Sequence, residues 1–357
     1  MSTARDYRAT PHLVLVTGAG RSGTSTVAGA LARLGFHLPE PVLAANESNP
    51  RGFYESWWPV RYHTRLMKRA NIAQTDGRPD AGPLMAAAVN DQYRQRLRSW
   101  LAEQLAGREL VVVKDPRAAW VPDLWFDTAT ELGAELGYVT MLRHPSEVIS
   151  SRSTYYAANR PGMAPREFAI WTLCGWINQN LTLERRIRDH RRVLLRYVDL
   201  LQEWRPALDG LLADLALPKT LLTSAVAAEI DDFIEPRLRR HDVDWGELEL
   251  PPALVDLAEQ AWDGLVRLGD RHGHDPDAER ALDAVSERYA SLYADAAAIA
   301  YDHTLSRANR ALRTGRRQGR EQAERAQAEA RRARRLTARA RRAAGAALRR
   351  VRPARRT

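Results

Sequence analysis

The stretch VTGAGRSGTSTVAGALARLG, Val16 to Gly35, carries the residue types of a phosphate cradle with one substitution. Gly18 and Gly23 stand at the two glycine positions of the pattern G-x-x-x-x-G-K-S/T, and Thr24 occupies the lysine position. A glycine turn running into a helix presents free backbone N–H groups, and the helix start adds partial positive charge, so an anion is favoured there. Arg21 supplies a full charge from the middle of the loop, between Gly20 and Ser22, while Thr24, Ser25 and Thr26 offer hydroxyl donors. An arginine in mid-loop does not replace the lysine that reaches an ATP γ-phosphate and its magnesium partner. The loop therefore points to another kind of phosphate.

Two further groups carry usable chemistry. VVVKDPR places Lys114, Asp115 and Arg117 together, and RHPSEVISS places Arg143 and Ser151 eight residues apart. Each group follows a short β-rich run: HLVLVTG, then ELVVVKDPR from Glu109 to Arg117, then LGYVTMLRHP from Leu136 to Pro145. RRVLLRYVDL, Arg191 to Leu200, predicts a fourth strand. Helical patterns separate the strands, at Leu84 to Ala106 and Arg166 to Asp189 among others, which favours crossovers and a parallel sheet. The expected fold is α/β, a three-layer P-loop-like parallel sheet flanked by helices, with helical C-terminal additions and a basic helical tail. Such sheets bind ligands at the carboxyl ends of their strands, where the three polar groups lie.

GAGRSGTS resembles the 5′-phosphosulfate loop of the sulfotransferases that use 3′-phosphoadenosine 5′-phosphosulfate (PAPS). RHPSEVISS is similar to that family's 3′-phosphate site, and VVVKDPR to the Lys-Asp-Pro segment of its tyrosylprotein and related Golgi and bacterial members. NPRGFYES, Asn49 to Ser56, and LLRYVDLL also have counterparts there, and the resemblance spans Val14 to about Leu217. It implies that Gly20, Arg21, Ser22, Gly23, Thr24 and Ser25 hold the 5′-phosphate of PAPS, or of its product PAP. Arg143 and Ser151 would hold the 3′-phosphate, and Tyr197 would lie near the adenine. Lys114 would neutralise charge on the transferred sulfuryl group and the leaving phosphate, with Asp115 orienting Lys114 or Arg117. Sulfate bears less charge than a γ-phosphate and the family needs no metal, so the missing lysine is expected. PRLRRH, from Pro236, would fold back on the cofactor.

A hydroxyl acceptor also needs a base. Cytosolic members of the family place a histidine two residues after the strand-end lysine; here that position is Pro116. Tyrosylprotein-type members use a glutamate after the first helix, and this chain offers Glu40, Glu47 and Glu55 there. Glu55, beside an aromatic patch, is the first candidate and Glu47 the second. His37 and His63 match no family motif, and His144 stands where a helix start makes capping its expected role. Phe53, Tyr54, Trp57 and Trp58 suit a sugar face as well as a core. The expected acceptor is a carbohydrate or glycolipid hydroxyl, ahead of a small hydroxylated metabolite and a protein tyrosine. Two other classes remain open at this point: a nucleoside or small-molecule kinase sharing the cradle, and a non-catalytic nucleotide-binding platform for the tail.

With 357 residues the chain has room for a substantial core plus appendages. The expected divisions are a sulfotransferase domain at 1–240, a helical extension at 241–306 and an Arg/Ala-rich tail at 307–357, helical or partly disordered. One cysteine, Cys174, excludes an internal disulfide framework and a cysteine zinc site. No run of about 18 apolar residues occurs. These features predict a cytoplasmic chain, with possible peripheral contact at the inner membrane surface. The net charge of +10 is a property of the tail: Arg307 to Thr357 holds 19 arginines and 3 glutamates, a net +16, and the rest of the chain is net −6. Specific nucleic-acid binding by the body is therefore not expected, whereas the tail should attract anionic membrane.

Overall fold

The computed structural model describes residues 10–160, 162–235, 245–246 and 248–350, with side chains except at 159 and 345–350. The PRLRRH segment lies outside the described residues. Four parallel strands, β1 (His12–Thr17), β2 (Leu110–Lys114), β3 (Glu135–Leu142) and β4 (Arg192–Arg196), form one sheet in the order β2-β1-β3-β4. Their near-continuous Val and Leu content follows from burial on both faces. On one face Leu13, Leu15, Val111, Val113 and Tyr138 share a core with residues of four helices, α2 (Trp57–Ala70), α3 (Ala81–Ala88), α4 (Asp91–Leu105) and α5 (Pro122–Glu131). On the other, Val14, Val16, Val112, Val139 and Met141 pack with α1 (Thr24–Arg33), α9 (Trp204–Asp214) and α10 (Ser224–Phe233). Each fully buried Val or Leu side chain contributes about 1.5–3 kcal/mol.

A third cluster joins Leu142 and Leu194 to α6 (Pro145–Tyr156), α7 (Pro165–Ile187), α11 (Pro252–Asp270) and α12 (Pro276–Ile299). Met1–Tyr293 forms one compact unit and Ala294–Thr357 another. The helix expected over Leu84 to Ala106 divides at Val89 and Asn90, because the Asn90 side chain accepts the Tyr93 N–H (3.1 Å) and starts a new helix there. Within the helical extension expected at 241–306, α11 and α12 are separated by a turn holding Gly273 (φ +78°) ahead of Pro276. In the second unit α13 (Tyr301–Arg350) is continuous and exposed at every described side chain. Among the described residues, no helix is long and apolar enough to cross a membrane.

The strand order sets the site. β1 leads across to β2 on one side and β3 leads to β4 on the other, so a crevice opens between the carboxyl ends of β1 and β3. Loop 18–23 leaves β1 there, Arg143 follows β3, Lys114 ends β2, and Tyr197 opens the short helix α8 (Tyr197–Gln202) after β4.

Candidate active site

Steric fit explains the glycines of the loop. Gly18 has φ +124°, and a Cβ there would stand 2.7 Å from the Met141 carbonyl oxygen on β3. Gly23, at φ +87°, would drive a Cβ to 2.1 Å from the Tyr197 ring. Arg21 takes φ +78°, a left-handed conformation uncommon for a side-chain-bearing residue and one that concentrates at functional loops. Among the described residues no side chain caps the start of α1, so the N–H groups of Thr24 and Ser25 remain available to an anion, while that of Thr26 donates to the Gly23 carbonyl (3.0 Å).

A cavity of about 390 Å³ opens over this loop. Gly20, Arg21, Gly23, Thr24, Ser25, Glu55, Lys114, Arg143, Ser151 and Tyr197, all anticipated from sequence, line it. Ser22 is fully buried, and its hydroxyl finds no partner among the described residues. Glu47 is exposed and outside the lining.

The first charge cluster centres on Glu55. Its backbone is tied down where Leu43 N–H donates to the Glu55 carbonyl (2.8 Å) and Trp57 N–H to that of Pro41 (2.8 Å). Lys114 Nζ donates to Glu55 Oε1 at 2.6 Å, and Arg117 Nη1 to Oε2 at 3.0 Å. Lys114 also reaches Ser25 Oγ (3.3 Å), which accepts from Asn49 Nδ2 (3.0 Å) and donates to the Phe53 carbonyl (3.1 Å). Burial pulls the Lys114 ammonium below its usual range against the attraction of Glu55.

Behind Arg117 the bonds continue inward. Asp115 accepts the backbone N–H of Arg117 (2.9 Å) and its Nη1 (2.7 Å) on Oδ1, while His63 Nδ1 meets Oδ2 at 2.8 Å. Trp125 Nε1–H donates to His63 Nε2 at 3.0 Å, which leaves the imidazole proton on Nδ1, donated to Asp115. Burial alone would raise the Asp115 pKa, but Arg117, His63 and the Arg117 N–H hold it well below the usual carboxylate range. His63, which matched no motif, is therefore part of the support beneath Glu55. Its i,i+4 surroundings on α2 carry no signal of this, because the partner lies 52 residues away.

The second cluster is cationic. Arg143, 6% exposed, donates Nε to Glu147 (2.7 Å) and Nη1 to the Arg21 carbonyl (3.0 Å), and its buried Nη2 has no hydrogen-bond partner among the described residues. Its guanidinium lies 5.2 Å from the Tyr197 ring centroid. Arg21 Nε donates to Ser151 Oγ (3.0 Å) and Nη1 to the Ser48 carbonyl (3.1 Å), so the loop arginine stands with the 143/151 pair. Arg152, missed in the sequence although it adjoins Ser151, lines the same cavity with a buried Nε that has no hydrogen-bond partner among the described residues. Burial lowers its pKa to about 10, which leaves it charged near neutrality.

The other expectations sort by helix geometry. Phe53 lines the cavity. Half-buried Trp58 stacks between Tyr62 (4.9 Å) and Trp100 (4.6 Å) against the core, Trp57 is 46% exposed, and Tyr54 packs edge-on against Phe233 (5.7 Å). His144 caps α6, accepting the Ser146 N–H (3.3 Å), and His37 pairs its backbone with the outer edge of β2.

No protein-family model matches the chain, and no curated protein does. The chain is similar to solved sulfotransferase domains. One, from the Synechococcus PCC 7002 olefin synthase, is 17% identical over 77% of this chain and 99% of its own, with a TM-score of 0.37. A second, from the curacin biosynthetic pathway, is 19% identical over 72% and 99%, at 0.39. Sulfotransferase STF1 from Mycobacterium tuberculosis H37Rv is 14% identical over 72% and 77%, at 0.41. Likeness at this level assigns no residue a role; the geometry above must do that.

Proposed function

We propose that the chain is a PAPS-dependent sulfotransferase that moves a sulfuryl group to an acceptor hydroxyl. The observation that carries this reading is the composition of one cavity: a lysine-free glycine loop at a helix start, a buried Lys114–Glu55 pair, and a separate arginine cluster with buried donors left over. Arg143 Nη2 and Arg152 Nε, without a hydrogen-bond partner among the described residues, fit a phosphate-bearing ligand, since a buried guanidinium N–H without an acceptor is costly until an anion arrives. The loop residues 20–25 would hold the 5′ end of PAPS, and Arg143 with Ser151 the 3′-phosphate, now with Arg21 and Arg152 beside them.

Bound PAPS supplies an activated sulfuryl group and a phosphate leaving group. The chain's own contribution is position and charge. Lys114 stands against Glu55 and Ser25 as a fixed cation. Each Glu55 oxygen, having accepted one bond, keeps a lone pair for the acceptor proton. The aromatic lining at Phe53, Tyr155, Tyr156 and Phe233 supports a carbohydrate or glycolipid acceptor. The test is binding and transfer without metal. PAP should bind in the presence of EDTA, and a screen of hydroxylated acceptors with radiolabelled PAPS should yield labelled product. Transfer from ATP that requires magnesium, with no PAP binding, would instead establish the kinase reading.

A further inference from the structure

Helix α13 has a feature that its composition does not convey. At 100° per residue, the fourteen arginines from Arg307 to Arg342 all fall within an arc of about 200°. The rest of the circumference holds Ala308, Leu312, Gly315, Ala326, Ala333 and similar residues, and its only charge is Glu329. A run that merely kept the chain soluble would scatter its arginines around the helix. This one concentrates them on one side of a continuous rod of 50 residues, about 75 Å long.

We propose that α13 is a docking surface for an anionic lipid bilayer, with the arginine arc turned to the lipid phosphates and the arginine-free side to water. Charge complementarity identifies an anionic partner, and shape selects among anionic partners. A continuous helix of this length can lie along a planar headgroup surface over its whole extent, whereas a duplex groove winds away from it within a few turns. Single-stranded nucleic acid is bound through aromatic stacking beside the cations, and from Arg307 to Ala344 the helix has no aromatic residue. Leu312 and Leu336 are the only large apolar side chains in that span, too few for insertion, so the contact is peripheral and held by charge.

The experiment keeps charge and composition constant and moves only the arc. Ala311→Arg, Gln322→Arg, Ala333→Arg and Ala340→Arg, combined with Arg313→Ala, Arg320→Gln, Arg331→Ala and Arg342→Ala, transfer four arginines to the opposite side. The full-length chain should sediment with phosphatidylcholine/phosphatidylglycerol 7:3 vesicles and not with pure phosphatidylcholine vesicles. Binding should weaken as salt rises. The rearranged chain, with helix content checked by circular dichroism, should bind the anionic vesicles at least about tenfold more weakly. Equal binding by the rearranged chain would reduce the tail to net charge and overturn the proposal. So would tighter binding to duplex DNA or to single-stranded RNA than to the vesicles at equal phosphate concentration, which would assign the surface to nucleic acid.

Discussion

Two charge clusters share one cavity and are built on opposite plans. Around Glu55, two cations and two carboxylates are mutually bonded: Lys114 and Arg117 to Glu55, and Arg117 again to Asp115. Around Arg143, three arginines meet the carboxylate of Glu147, and two buried guanidinium nitrogens have no hydrogen-bond partner among the described residues. A balanced network fixes the direction of its groups without attracting a ligand. An unbalanced one is costly when empty and favours whatever anion satisfies it. The first cluster should therefore govern turnover and the second affinity.

The sharpest way to break that division is at its catalytic end. Glu55→Gln keeps the shape of the side chain and removes its basicity, and kcat should fall about 100-fold or more while PAP affinity changes little. Lys114→Ala should act in the same sense, because its charge matters most in the transition state. Steady-state kinetics beside calorimetry separates the two effects. A loss confined to PAP affinity would move Glu55 into the binding cluster and dissolve the contrast.

At the affinity end, Arg143→Ala should weaken PAP binding by about 10- to 100-fold, the range of a charge-assisted contact to a buried phosphate. Calorimetry on a folded variant reads this directly. Unchanged affinity would remove Arg143 from the anion site and leave Arg21 and Arg152 as its remaining cations.

How much of this was legible in the sequence depends on the range of the interaction. The four strands were legible because runs such as LVVVK belong to a sheet buried on both faces, and loop 18–23 because its glycines sit at fixed offsets from a strand and a helix. Arg143 and Ser151 were legible through one helix start. The Glu55–Lys114 bond spans 59 residues, and the His63–Asp115 bond 52, so no local pattern brings either pair together. Adjacent Trp57 and Trp58 show the limit at short range. They lie 100° apart on α2, so the half-buried Trp58 stacks against the core while its neighbour faces solvent. The tail's helical propensity was legible from alanine and arginine, but its one-sided charge emerges only when the residues are wound onto a helix.

A smaller effect tests what holds the balanced cluster in place. Asp115 has a folded-state pKa well below its unfolded value, near 3.9, so its contribution to stability is complete above about pH 4 and is lost as pH falls toward the folded value. Asp115→Asn should destabilise the protein by about 1–3 kcal/mol at neutral pH and flatten the stability profile below pH 4. His63→Phe, which leaves one Asp115 oxygen without its donor, should cost a similar amount. The two losses should be less than additive in a double-mutant cycle of urea unfolding. Full additivity would show that His63 and Asp115 act separately and that the support beneath Arg117 is not a connected chain.

The smallest expected effect falls on Glu47, the other carboxylate whose position suits a base. Asn46 organises its loop by accepting the Ser48 N–H (3.0 Å), the Ser48 hydroxyl (2.8 Å) and the Asn49 N–H (3.2 Å) on one side-chain oxygen. That turn brings Ser48 and Asn49 into the cavity lining and leaves Glu47 exposed at its outer side. Among the described residues no ion pair fixes the direction of this solvated carboxylate, so nothing there holds a lone pair on an acceptor proton. Glu47→Gln should keep kcat and PAP affinity within about twofold of the parent, the range of a surface substitution away from any network. If Glu47→Gln abolishes turnover while Glu55→Gln retains it, the base belongs to the loop. Glu55 would then serve only to hold Lys114 and Arg117, and the balanced cluster would be a scaffold with no part in proton transfer.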